Sequence, residues 1–259
     1  MLSCLAFRKT VLCCGALLLC LLSASCGIEK AFDAYRTALE LKQQEQGISC
    51  EFESKIIFPA GEGTSSLCYS GSLLSDGQEM GNTAIAVQMA VGGSTLNMNL
   101  YYTDGWCYVN TMGVKVKQPM TETPLADFFA MDSIELREEH FTSSEPLKSG
   151  CLLKAVLPKE QLFAQAQELL GGLFQQAKID WENDLQWVSD GDLQFYLDEK
   201  GNLSKQVTCY SVEAVVEGER MELSIENTLR FPDPGKDHEV RLPNDLDTYE
   251  TLEKQKTEQ

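Results

Sequence analysis

Cys26 closes a leader whose residue types point to chemistry at a thiol. Arg8 and Lys9 form a small basic patch, residues 10–22 are a mainly apolar run, and Ser23-Ala24-Ser25 are all small. A charged start, a short apolar core and a small-residue exit make a secretory signal peptide. The run is shorter than the roughly 20 residues of a comfortable membrane span. A cysteine follows the small residues directly, and its thiolate is a soft nucleophile able to form a thioether.

Leu22-Ser23-Ala24-Ser25-Cys26-Gly27 resembles a bacterial lipobox. The leucine stands one place early, with Ser23 where that residue is expected. The resemblance implies a diacylglyceryl group on Cys26, cleavage after Ser25, and Cys26 as the new N-terminus. Residues 1–25 are then the leader, and the membrane is a partner through the anchor. Two acyl chains, at roughly 0.8 kcal/mol per buried methylene, hold a protein on a bilayer where one chain does not. An ordinary signal peptide cut nearby, with Cys26 incidental, is the alternative.

Beyond the leader, catalytic signatures are missing. The two histidines, His140 and His238, are far apart and neither has a second histidine at zinc-ligand spacing. Asp184, Asp190 and Asp192 lack the spacing of a calcium loop. No G-x-S-x-G, P-loop or G-x-G-x-x-G occurs. The reading is a non-enzyme with no cofactor and no metal. Five cysteines follow Cys26: Cys50, Cys68, Cys107, Cys151 and Cys209. An odd count leaves at least one unpaired. They read mostly as small buried hydrophobes on strands, with a Cys50–Cys68 disulfide open if those strands are neighbours.

Charge narrows the partners. From Cys26 onward 19 basic residues face 39 acidic ones, a net of −20. That excludes nucleic acid, which requires a basic face. It also excludes holding to an anionic bilayer by charge alone.

The elements follow from periodicity. Residues 29–46 read as a helix with a stripe of Ile28, Phe32, Tyr35 and Leu39, stopped by Gly47. From Ile48 the period becomes two, predicting strands over 48–58, 65–74, 82–91, 94–102 and 106–117. Gly92-Gly93 and Thr103-Asp104-Gly105 supply hairpin turns. Residues 123–131 suggest a short helix, and 151–157 a strand. Pro158 opens a second helix, broken at Gly171-Gly172. Residues 178–191 read as an irregular connection. Strands return at 192–198, 203–217 and 220–231, then 240–242 as a short edge strand, with a loose polar tail from Asp245. The class is α+β: one curved antiparallel sheet with helices on its concave face.

Met80, Met89, Met98, Met112, Met120 and Met131 cluster between 80 and 131. Methionine suits adaptable apolar surfaces, so the cluster is either a cavity lining or ordinary core filling.

The stretch YYTDGWCYVNTMGVKVKQPM (101–120), with LDEKGNLSK (197–205) and RLPNDLDTYE (241–250), resembles a family of uncharacterised Gram-positive lipoproteins, similar to the LolA/LppX-like lipoprotein carriers. The resemblance spans most of 28–250. It implies a single LolA-like domain over 26–250, an unclosed half-barrel plugged by helices, and a polar tail at 251–259. It also implies an extracytoplasmic, membrane-anchored location in a Gram-positive cell. It brings no catalytic residue, and Lys115 and Lys117 match it as solvent-facing strand positions. The expected function is binding a lipid or acyl chain against Met98, Leu100, Trp106, Phe163 and Phe174, with the Gly171-Gly172 break as a hinge. An acidic interaction or structural module of the envelope, with no small ligand and a protein partner of unknown identity, is the rival reading.

Overall fold

The computed structural model describes residues 27–45, 47–60, 63–77, 81–91, 94–120, 136–162, 185–187, 189–216, 219–234, 236 and 238–252. A helix, α1, covers 27–43. The strands are β1 (Ile48–Ala60), β2 (Gly63–Ser75), β3 (Thr83–Val91), β4 (Ser94–Thr103), β5 (Trp106–Thr111), β6 (Val114–Pro119), β7 (Phe141–Leu147), β8 (Gly150–Leu157), β9 (Leu185–Trp187), β10 (Gly191–Leu197), β11 (Leu203–Val216), β12 (Glu219–Arg230) and β13 (Glu250–Thr251). They form one curved, unclosed sheet in the order β13-β6-β5-β4-β3-β2-β1-β12-β11-β10-β8-β7, with β9 added on β11. Every pairing is antiparallel except β13 on β6. The α+β half-barrel read from the sequence is the architecture found.

Alternation along the strands separates two faces. The inner face carries Phe52, Ile56, Leu67, Leu73, Ile85, Leu100, Ile225, Leu223, Leu193, Phe195, Leu153 and Leu157, joined rung by rung through the register. The outer face carries Glu51, Glu53, Lys55, Lys154, Lys205, Glu222, Glu226 and Arg230. Helix α1 lies on the inner face. Ala31 and Ala38 are essentially sealed and Tyr35 is buried, an i, i+4, i+7 row. The two alanines bring the helix close to the sheet. Tyr35 stacks 4.7 Å from Phe195 and 5.3 Å from Phe141, and Phe32 lies 5.7 Å from Phe141. These tilted pairs fix the helix over β7, β8 and β10.

Several expectations change. The helix ends at residue 43, and Gly47 is packed against the Ser75 carbonyl rather than capping it. The strand expected over 106–117 is a hairpin, β5–β6, turning at Met112-Gly113 with φ of 51° and 85°. This matches the Asp104-Gly105 turn, at 50° and 76°, between β4 and β5. Two positive φ values give the turn whose twist suits a two-residue hairpin. Methionine hides that signal, being an unusual left-handed residue. Strand β7 was not read from the sequence, and β9 lies within the stretch expected to be irregular. The edge strand expected at 240–242 falls at β13 instead. Residues 246–248 form a 3-10 turn and Tyr249 is buried, so the chain past Asp245 is docked as far as residue 252. Tyr249 packs edge-on against Tyr108 at 5.4 Å, and Asp245 binds Lys115 at 2.5 Å.

None of the five described cysteines is in a disulfide. Strands β1 and β2 are neighbours, yet Cys50 sits opposite Leu73 and Cys68 opposite Lys55. The two are five residues out of step, about 17 Å along a strand, and on opposite faces. The 123–131 helix, the Gly171-Gly172 break and the 253–259 tail lie outside the described residues. Pro158 does open a helical turn over 159–162, where the Lys159 N–H donates to Asp190 Oδ1 at 3.0 Å.

Gly71 on β2 lets the Phe52 ring lie flat on the sheet. A Cβ there would stand 2.4 Å from that ring and 2.0 Å from the Ala86 carbonyl oxygen. Gly71→Ala is expected to cost about 1–3 kcal/mol through overpacking, read as a lower thermal midpoint by circular dichroism. An unchanged midpoint would contradict the close approach of β2, β3 and Phe52.

Candidate functional site

The inner face is notable for what its strands omit. On β1 to β8 and β10 to β12, register puts every Asp, Glu, Lys and Arg within the strands on the outer face, Glu219 at a strand end apart. Helix α1 covers this uncharged face on the β7–β12 side. There Leu157, Leu153, Leu193 and Phe195 are sealed and the space is filled. Over β3 to β6 the same face is only partly covered. Val87, Met89, Met98, Leu100, Val109 and Val116 are half-buried, while Leu96 and Val114 are 38% and 51% exposed. The open apolar surface thus lies beside the helix, not beneath it.

Register places the expected ligand residues. Met98 and Leu100 share the inner face, on successive rungs opposite Val87 and Ile85. Trp106 does not join them: Cys107, not Trp106, pairs with inner-face Tyr102, so the indole belongs to the outer face. There Lys117 Nζ lies 5.8 Å from its ring and 5.7 Å from Tyr108. Phe163 and Phe174 lie outside the described residues, as does Cys26. Of the methionines, Met89 and Met98 are on the open surface, and Met112 is 83% exposed at its turn. Met80 and Met131 are not among the described residues.

One polar rung crosses this apolar face. Tyr69 on β2, Ser54 on β1, Asn227 on β12 and Thr208 on β11 are directly opposed in sequence across four strands. Ser54 Oγ donates to Asn227 Oδ1 at 2.6 Å, and Asn227 also bonds Tyr210 from the next rung. The two ends differ from the middle. Tyr69 Oη and Thr208 Oγ1 are buried and have no hydrogen-bond partner among the described residues. Buried hydroxyls elsewhere are paired: Thr83 Oγ1 with Ser75 Oγ at 3.2 Å, and Thr103 Oγ1 with Asn82 Oδ1 at 2.7 Å. Burial is the main cause that pushes both phenols, Tyr69 and Tyr210, up to about 12. The rung escaped the sequence reading, although Asn227 visibly interrupts the alternation Met221, Leu223, Ile225, Leu229.

The outer face has a depression of about 250 Å3 lined by Ile57, Asp192, Cys209, Ser211, Ser224 and Glu226, among others. Burial raises the Cys209 thiol, and Glu226 and Asp192 raise it further. That is the reverse of an activated nucleophile. Buried His140 accepts a hydrogen bond at Nδ1 from the Arg137 N–H, closing a 3-10 turn. Among the described residues no group of three His, Cys, Asp or Glu is arranged to hold a metal. None of the described helices is long and apolar enough to cross a membrane.

No protein-family model matches the chain, and no curated protein matches it in sequence. Solved structures with a similar arrangement include three bacterial proteins. A DUF1329 family protein from Desulfovibrio piger is 11% identical, with 79% of this chain and 93% of that one covered and a TM-score of 0.23. A LolA superfamily protein from Nitrosomonas europaea is 10% identical, with 82% and 96% covered and a TM-score of 0.24. A domain described as an outer membrane lipoprotein-sorting protein from Vibrio parahaemolyticus is 11% identical, with 87% and 97% covered and a TM-score of 0.24. Similarity at this level carries no functional weight, and the fold rests on the strand order and register above.

The raised phenols give a pH dependence. Tyr69 and Tyr210 hold their protons more tightly folded than unfolded, where the ordinary value is 10.0. Their contribution is complete below about pH 10 and is lost as pH rises toward 12. Denaturant unfolding should therefore show stability declining over that interval, more shallowly in Tyr69→Phe. A flat profile would contradict the burial of both rings.

Proposed function

We propose that this chain is a lipid-anchored, extracytoplasmic binding protein without catalytic activity, which takes an apolar ligand such as an acyl chain on the open inner surface of β3 to β6. The observation that carries the reading is the uncharged inner face left half-covered by α1. A soluble protein buries such a surface or uses it. Met98 and Leu100 are its central contacts, and Met89 and Met98 give it the adaptability that chains of varied length demand. Trp106, on the outer face, is not assigned to the ligand. The anchor is Cys26, and the envelope of a Gram-positive bacterium is the proposed setting. The domain proposed for this work runs from Cys26 to about residue 250.

Binding is tested by native mass spectrometry of protein purified without detergent, followed by solvent extraction. A stoichiometric organic-soluble adduct is expected, and Met98→Glu should reduce it at least several-fold without lowering the thermal midpoint, since Met98 is half-exposed. A clean ligand-free mass that persists after lipids are offered would favour the acidic interaction module. Anchoring is tested separately. Cys26→Ser should abolish incorporation of labelled palmitate and release the protein from the membrane fraction; retained label would place the anchor elsewhere.

A further inference from the structure

Of the five large apolar side chains left exposed among the described residues, three gather at one end of the sheet: Leu96, Val114 and, at 83%, Met112. Met98 pairs with Thr111, the last residue of β5, and Thr111 pairs with Val114, the first of β6. Leu96 stands two residues beyond Met98 on β4, and Met112 lies in the turn between Thr111 and Val114. Two strand spacings across and two residues along put Leu96 about 12 Å from Val114, with the Met112 turn beside them. Leu96 and Val114 belong to the inner face, so this rim is the end of the open apolar surface. Nothing in the fold asks for methionine at the turn, since its φ of 51° favours Asn, Asp or Gly. One exposed apolar residue is ordinary; three at one rim mark a contact surface.

Charge and chain direction say what meets this rim. Residues 80–121 hold one acid, Asp104, in a chain that has 39, and with Lys115 and Lys117 the stretch carries a net +1. Asp104 lies in the β4–β5 turn, at the opposite strand ends. An anionic bilayer repels the acidic body of the chain but not this rim. Helix α1 points the same way. Register carries Phe141 rung by rung to Leu96. The helix lies against Phe141 at Phe32 and reaches Phe231 at Lys42, past the Arg230–Glu51 pair at the other strand ends. Its first residue, Gly27, therefore faces the strand ends that carry the rim, and Cys26 is the residue before it.

We propose that the rim of Leu96, Met112 and Val114 dips into the surface of the bilayer that holds the Cys26 anchor. The inference rests on the proposed anchor and deepens the apolar-ligand reading, because the rim joins the open surface at Met98. Acyl chains on a cysteine hold a protein near a membrane without fixing which side it presents. A second, apolar contact at the rim sets that orientation and puts the mouth of the open face on the bilayer. An acyl chain then passes from the membrane to the inner face without crossing water.

The experiment uses the lipid-modified protein reconstituted in vesicles of phosphatidylcholine and phosphatidylglycerol. Met112→Trp and Leu96→Trp each add a fluorescent reporter at the rim, and Leu147→Trp, at the far end of β7, is the control, with wild-type emission subtracted. Both rim reporters should be quenched by lipids spin-labelled near the head group, and aqueous iodide should reach them at least threefold less than it reaches the control. Adding Met112→Glu to Leu96→Trp should cut the spin-label quenching at least threefold. Rim reporters that iodide reaches freely and spin-labelled lipid does not quench would overturn the rim contact while leaving the anchor in place. Reporters shielded from iodide yet silent to spin-labelled lipid would assign the rim to a second copy of the chain and overturn it as well. Rim quenching in protein whose native mass carries no lipid ligand would uphold the contact and overturn only the ligand reading. Protein that fails to float with the vesicles would overturn the anchor and the rim contact with it.

Discussion

The exclusion of charge from one face of the sheet is the constraint on which the rest of this structure depends. A strand alternates sides every residue, so its charged and apolar positions separate only if the register holds everywhere. Here it holds from β6 across to β7, through hairpins, a bulge between Tyr196 and Leu197, and the long pairing of β1 with β12. A slip of one residue in β12 would turn Arg230 and Glu226 inward. The acidic chain can then carry its charge on the outside, where cross-strand pairs such as Arg230–Glu53 at 3.7 Å and Lys154–Glu145 at 2.6 Å offset part of the repulsion. Exposed pairs of this kind contribute little singly; their value here lies in keeping charge off the inner face.

An uncharged face this wide asks for more cover than α1 alone supplies. The helix is drawn to the side where aromatic rings stand highest, Phe141 and Phe195, and Tyr35 keys it there. The opposite side, built from the β3–β4 and β5–β6 hairpins, is left to smaller and more flexible side chains. Stability and openness are thus divided between two halves of one sheet. The edges are treated differently too. Strand β6 is covered by β13, whose approach is secured by Tyr249 on Tyr108 and Asp245 on Lys115. Strand β7 carries Glu145 and Pro146, which discourage pairing with another chain.

The polar rung fits this division. It runs from the packed half, at Thr208, to the margin of the open half, at Tyr69. Its satisfied centre ties β1 to β12, the pairing that joins the first and last thirds of the chain, and its two end hydroxyls are buried with no partner among the described residues.

Much of this was written locally. Alternation in TLNMNLYY and in ERMELSIENTLR identifies strands and their apolar side without further information, and Asp104-Gly105 identifies a turn. The helix at 27–43 follows from a stripe at helical spacing. What local pattern could not decide was which residues meet. The Met112-Gly113 turn was masked because methionine seldom takes a positive φ, and β13 because two residues carry no period. The Cys50–Cys68 pair was excluded by five residues of register, and Trp106 was separated from Met98 and Leu100 by the side of the sheet it faces. Tyr69, Ser54, Asn227 and Thr208 are four unremarkable residues in four separate strands. The sequence by itself determined that each points to the apolar side; only long-range pairing, which depends on closing loops between distant segments, decided that all four fall on one rung.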